Sequence, residues 1–247
     1  MLPAVMYHHI NSDDLPLSNS DNMMQEHLSL IAERYTTIFP GEQIVGHSIC
    51  LTFDDAYYDF YYYVFPLLKK YNLKALLAVP VAYILEETDV SSELRLSLKH
   101  DQIYQEKNYK TYAPFCTYRE LREMVQSGHV MIASHSMNHL NLTEEGIDLE
   151  QEIIGSKIVL EEKLGFRVDS FVLPYGKYNE AVVSLACEHY KYVFRIGNAF
   201  NPSWHGIGGL LYRIKGDALV TPDSLLKPFK RFRFWIKTVV KMIKGSQ

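Results

Sequence analysis

The chain has 247 residues, 47% hydrophobic and 22% charged, a globular balance with material for a large core and no repeated or low-complexity segment. Its three cysteines, Cys50, Cys116 and Cys187, are odd in number and far apart, which excludes a disulfide framework and a cysteine-type zinc site. The net charge of −4 conceals a basic tail: residues 227–247 carry seven Lys or Arg and no acid, leaving 18 basic against 29 acidic side chains before them, and a body of about −11 excludes a nucleic-acid partner.

Taken in chain order, the opening Met1-Leu2-Pro3-Ala4-Val5-Met6-Tyr7 lacks the basic and long apolar regions of a secretory signal. No stretch approaches the roughly 18 to 20 apolar residues of a membrane span, so a cytoplasmic location is expected. Buried strands are predicted over 3–7, 48–53, 75–79, 130–133 and 170–173, where continuous apolar runs suit a parallel sheet covered on both faces. A helix is predicted over 58–71, with Phe60, Val64, Leu67 and Leu68 on one side. Residues 86–114 form an insertion of mixed character, which either shapes a cleft or merely elaborates the surface. Thr117 with Glu120 makes a capping box for a helix that buries Leu121, Met124 and Val125 and ends at Gly128. A further helix starts near Asp148, with Gln151 in the capping-box position, turns Leu149, Ile153, Ile154, Ile158 and Leu164 inward, and stops at Gly165. Strand followed by helix, repeated, predicts an α/β barrel over 1–224.

The polar residues fall at strand ends. His8-His9 follows the first run, Asp54-Asp55 the second, His135-Ser136-Met137-Asn138-His139 the fourth and Pro174-Tyr175-Gly176 the fifth. In a barrel these ends converge on one face. Two histidines four apart can meet one divalent ion, and an added acid from another strand leaves coordination positions open for water and substrate; the plain alternative is a pair of surface or capping histidines. The adjacent aspartates point in different directions, so one can bind metal while its neighbour faces substrate. The alternative for this pair is capping of a helix that starts near Ala56.

Together, Thr52-Phe53-Asp54-Asp55, His135-Ser136-Met137-Asn138-His139 and Pro174-Tyr175-Gly176 resemble the polysaccharide deacetylases of the NodB-homology type, carbohydrate esterase family 4, over about residues 3–215. The resemblance implies a distorted (β/α) barrel of about seven parallel strands. It implies Asp54 as general base, Asp55, His135 and His139 as metal ligands, and the Tyr175 backbone N–H as oxyanion donor. Val5-Met6-Tyr7-His8-His9-Ile10 resembles the exopolysaccharide deacetylases with an N-terminal Tyr-His motif, which makes His8 the general-acid candidate and His9 the fallback. Two departures stand out. Ala56 replaces the family's usual Gly, so an ordinary helix entry is expected there rather than a positive φ. The usual Arg before the Pro-Tyr turn is absent, and Arg213 could take its place or form a structural ion pair.

The implied reaction is hydrolysis of an acetamide on an N-acetylated amino sugar, in a glycan or in a lipid-linked or nucleotide-sugar precursor of surface polysaccharide. Zn²⁺ is the expected ion, with Co²⁺ or Ni²⁺ compatible with the same ligands. A hydrolase of a non-sugar C–N bond and a non-catalytic glycan binder are the alternatives. Residues 225–247 read as a basic amphipathic helix, with Phe229, Phe232, Trp235, Ile236, Val239, Val240 and Ile243 at three- and four-residue steps. Such a helix either lies on an anionic membrane or packs on the barrel.

Overall fold

The computed structural model describes residues 1–11, 17–98 and 100–245. Seven parallel strands form a closed barrel: β1 (Ala4–Tyr7), β2 (Ser48–Phe53), β3 (Ala75–Val79), β4 (Val130–Ser134), β5 (Ser170–Val172), β6 (Tyr192–Ile196) and β7 (Leu210–Lys215). Each strand pairs with the next in sequence, and β1 closes the ring by pairing with β2 on one side and β7 on the other. The distorted seven-stranded (β/α) barrel expected from the motifs is therefore the fold. Closure removes the sheet edges that an open sheet would expose. The residues pointing inward are small or slim at many positions, including Ala4, Cys50, Ala78 and Ala133, with Phe194 and Leu211 filling the remaining space.

The helices on the outside are α1 (Asp21–Arg34), α2 (Phe65–Tyr71), α3 (Tyr118–Gln126), α4 (Ser156–Leu164), α5 (Glu180–His189) and the terminal α6 (Pro228–Gly245). The Thr117 capping box closes on Glu120, and Leu121 and Met124 are buried beneath it. The helix predicted over 58–71 begins at Tyr58 and passes through a wide π-type turn (Phe60–Val64) before running into α2. One expectation needs correction: Ile158 is not inward but 50% exposed. A second π-type turn (Glu150–Gly155) precedes α4 and rotates the helix phase, so Ser156 and Leu160 take the buried face.

Two strands were not predicted, β6 and β7, and no regular helix joins them. The insertion at 86–114 contains three short helices, Ser92–Arg95, His100–Ile103 and Glu106–Tyr112, with Lys99 outside the described residues. Ser246 and Gln247 of the basic tail also lie outside them.

Candidate active site

Asp54 and Asp55 leave the C-terminal end of β2 side by side and face different partners. Register places Tyr7 opposite Phe53, and the Asp54 N–H donates to the Tyr7 carbonyl at 2.8 Å, so the ends of β1 and β2 are locked together. Asp54 is gripped by Arg213 from β7 in a two-pronged pair, Nη1 to Oδ1 at 2.5 Å and Nη2 to Oδ2 at 2.9 Å. Nη1 also donates to Thr52 Oγ1 at 3.1 Å, and both charged side chains are buried. Burial alone would push the Asp54 carboxyl up, but Arg213 above all, with the His135 and His8 imidazoles, holds it below its ordinary value. Arg213, from a different strand than the one expected to carry the missing arginine, is thus the cation paired with Asp54.

Asp55 turns the other way because the backbone leaves the strand in the left-handed region, with φ 70° at Asp55 and 48° at Ala56. The ordinary helix entry expected at Ala56 is therefore overturned; the helix starts at Tyr58, whose N–H donates to the Pro114 carbonyl at 2.7 Å rather than to an aspartate. The turn is fixed from outside: the Cys116 N–H donates to the Ala56 carbonyl at 2.8 Å. A left-handed Ala costs on the order of 1 kcal/mol, which this anchoring offsets.

Asp55 Oδ1 lies 3.2 Å from His139 Nε2 and 3.6 Å from His135 Nε2, and one donor atom from each residue falls within 4.8 Å of the others. Donors bonded tetrahedrally to one ion at roughly 2.0–2.2 Å stand about 3.3–3.6 Å apart, so the spacing suits such an ion. The protonation states agree. His135 Nδ1 faces the Val172 carbonyl at 2.8 Å, an acceptor, so Nδ1 carries the proton and Nε2 keeps its lone pair. Burial lowers the His135 pKa to about 4 despite the nearby aspartates, which keeps the ring neutral. Asp55 is held well below the usual carboxylate range, its desolvation outweighed by His139, His135 and His8 together with the Tyr104 hydroxyl.

The loop carrying both histidines is built for this placement. Ser136 and His139 adopt φ of 66° and 53°. Buried Glu152, from the turn before α4, accepts from the Asn138 N–H at 2.9 Å and from Asn138 Nδ2 at 2.6 Å. Tyr104 of the insertion donates to Asp55 Oδ1 at 2.6 Å and stacks on the His139 ring at 4.8 Å between centroids. The insertion therefore reaches the site, and Tyr104 had gone unnoticed in the sequence because nothing around it marks a strand end.

His8 lies at the mouth on the other side of Asp54. Its Nδ1 meets Asp217 Oδ2 at 2.9 Å, its backbone N–H donates to Asp217 Oδ1 at 2.9 Å, and its Nε2 stands 3.6 Å from Asp54 Oδ2. Burial alone would lower the His8 pKa, but the hydrogen bond and charge of Asp217, with Asp54 and Asp55 behind, raise it to about 9. Asp217 follows β7 and was missed together with that strand. His9 faces away, as alternation demands: its Nδ1 meets Asp59 at 2.8 Å and its ring stacks on Tyr57. Tyr175 sits in a 3₁₀ turn (Pro174–Gly176) at φ 55°, its ring 58% exposed and 4.8 Å from that of His139. As the second residue of this turn, its N–H has no partner within the turn.

Comparison with known proteins follows the same lines. Residues 43–193 match the family model described as polysaccharide deacetylase. A curated relative, the putative polysaccharide deacetylase YxkH of Bacillus subtilis, is 26% identical over 198 residues, covering 75% of this chain but only 60% of that protein. Among solved structures, the Streptococcus pyogenes deacetylase PplD in complex with acetate superposes with a TM-score of 0.73 at 23% identity, covering 91% of this chain and 96% of that one. IcaB from Ammonifex degensii superposes with a TM-score of 0.68 at 19% identity, covering 96% and 97%. At these identities the structural likeness speaks for the barrel, while the family match spans well over half the sequence. The chain belongs to the polysaccharide deacetylase family.

Proposed function

We propose that this protein is a metal-dependent N-deacetylase that hydrolyses the acetamide of an N-acetylated amino sugar. The observation that carries the reading is convergence: a three-donor set, a clamped carboxylate and a charged imidazole meet at one end of the barrel, from β1, β2, β4 and β7. Asp55, His135 and His139 would hold the divalent ion, with Zn²⁺ expected and Co²⁺ or Ni²⁺ accepted by the same donors. When bound, the ion supplies Lewis-acid polarisation and a more acidic water.

The remaining steps belong to the chain's own groups. Asp54, kept ionised by Arg213, takes a proton from the attacking water. In this reading the Tyr175 N–H donates to the oxyanion of the tetrahedral species. His8, charged at neutral pH because of Asp217, gives a proton from Nε2 to the departing amine. Acetate and a free amino sugar result. His8 and Asp54 stand on adjoining strand ends, so acid and base face the same gap from neighbouring positions.

Acetate release from N-acetylated oligosaccharides and sugar nucleotides, measured alongside metal content by mass spectrometry, tests the reading. Asp54→Asn is expected to lose turnover and keep its metal, whereas His135→Ala loses both. Near-normal turnover by Asp54→Asn would remove it as the base, and undiminished metal in His135→Ala would remove His135 as a ligand.

A further inference from the structure

Helix α6 presents three distinct rows along its length. Arg231, Phe234 and Thr238 seat it on the barrel: Arg231 Nη1 donates to the Tyr35 hydroxyl at 2.5 Å, Phe234 meets the Phe200 ring edge-on, and Thr238 Oγ1 accepts from the Phe200 N–H at 2.8 Å. At about 3.6 residues per turn, a second row gathers Phe229, Phe232, Trp235, Ile236, Val240 and Ile243 on another side. These large side chains are exposed, Phe229 to 71% and Trp235 to 45%, so barrel packing leaves most of the apolar face uncovered. The third row is Lys230, Arg233, Lys237, Lys241 and Lys244, again at three- and four-residue steps.

No carboxylate pairs with any of these five cations among the described residues. They instead crowd with further positive charge. Lys230, Arg233 and Lys237 share a cleft of about 230 Å³ with Lys215, the last residue of β7, and no acid lines it. Lys241 and Lys244 line a second cleft, of about 500 Å³, with Arg195, Tyr178 and Tyr212, where Glu180 is the one acid on the wall. Like charges held together around the first cleft, with no acid on its wall, are costly unless an anion arrives from outside. Lys241 is crowded as well: burial, then Arg195, Lys237 and Lys244, lower its pKa, and its ammonium lies over the Tyr212 ring at 4.2 Å.

We propose that α6 is a membrane-docking helix that lies flat in the headgroup region of an anionic bilayer, its apolar row in the lipid and its cationic row on lipid phosphates. The pairing of rows selects this occupant. A protein partner would need a greasy groove edged by a continuous line of acids, whereas an anionic bilayer offers both at any position along the helix. No helix among the described residues is long and apolar enough to cross a membrane, and α6 is broken by cations at every turn, so it rests on the surface rather than spanning. The inference is independent of the reaction assigned above.

Flotation of the full chain on vesicles tests it, comparing phosphatidylcholine alone with phosphatidylcholine containing about 30% phosphatidylglycerol. The protein is expected to float with the anionic vesicles and not with the neutral ones. The variant Phe232→Ser/Trp235→Ser/Ile236→Ser, altered only at exposed positions, is expected to lose recovery at least tenfold with an unchanged circular dichroism spectrum. The emission of native protein should shift to the blue on anionic vesicles, and that shift should vanish in Trp235→Phe, which retains Trp204. Absence of flotation, or equal recovery of native protein and triple variant, would overturn the proposal. A dimer in light scattering that the triple variant dissolves, without flotation, would assign the apolar row to a second copy instead.

Discussion

Replacing Arg213 with methionine leaves Asp54 as a buried carboxylate with only His8, whose Nε2 stands 3.6 Å away, to answer its charge. The side chain lost makes two short bonds to the carboxylate and one to Thr52, all inside the barrel. Removing one partner of a buried pair costs about 3–5 kcal/mol, several times the value of a surface pair. For a domain of this size that corresponds to a fall in Tm of roughly 6–20 °C. Urea unfolding followed by circular dichroism gives the free energy directly, provided the m-value is unchanged. The pH dependence adds a sign. Asp54 has a depressed folded-state pKa, so its pairing contributes stability above the unfolded carboxylate range, and that contribution fades as pH falls through the folded pKa. The gap between native protein and variant should therefore be widest at neutral pH and narrow on acidification. The double variant Arg213→Met/Asp54→Leu should recover much of the loss, since apolar replacements of both partners avoid the orphaned charge. A single-variant cost below about 1 kcal/mol, or a double variant no better than the single, would refute the view of a dry, interdependent pair.

Asp217→Asn removes the charge and weakens the hydrogen bond that raise His8 to about 9, so the alkaline limb of kcat/KM should move from near that pH towards neutrality. In the native protein His8 contributes stability fully below its ordinary value of 6.5, lost as pH rises through about 9, and this contribution should shrink in the variant; an unmoved limb would detach Asp217 from His8. Tyr104→Phe deletes the hydroxyl on Asp55 while keeping the ring on His139, and should weaken metal retention against a chelator by roughly ten- to a hundredfold. Unchanged retention would make Tyr104 a packing residue only.

How much could be read before the structure depended on how far each strand's burial matched its chemistry. Ser48–Phe53 and Ala75–Val79 were found to the residue because they are apolar throughout and buried on both faces. β6 and β7 were missed because each carries an arginine in mid-run. Arg195 lies across Tyr178 on the outside, while Arg213 points into the barrel, where only its bonds to Asp54 and Thr52 make a guanidinium tolerable. Such pairings do not show in a one-dimensional pattern. The gathering of Asp55, His135 and His139 was legible because these residues end strands in recognisable motifs. Asp217 and Tyr104 were not, since both act through side chains folded back from segments without periodicity. At Ala56 the chain departs from local preference, and the reason lies in the distant Cys116 N–H that holds the turn.

The way the ring closes also orders events in time. Asp55, His135 and His139 all belong to the segment from β2 to the loop after β4. The proton-handling groups have a longer wait. His8 meets Asp217 across 209 residues, and β1 finds its second neighbour only when β7 exists. A growing chain can thus gather its metal donors well before acid, base and clamp come together, and long-range pairing of this kind is slow to form. The last barrel strand to be synthesised, on docking against the first, brings Arg213 to Asp54 and Asp217 to His8.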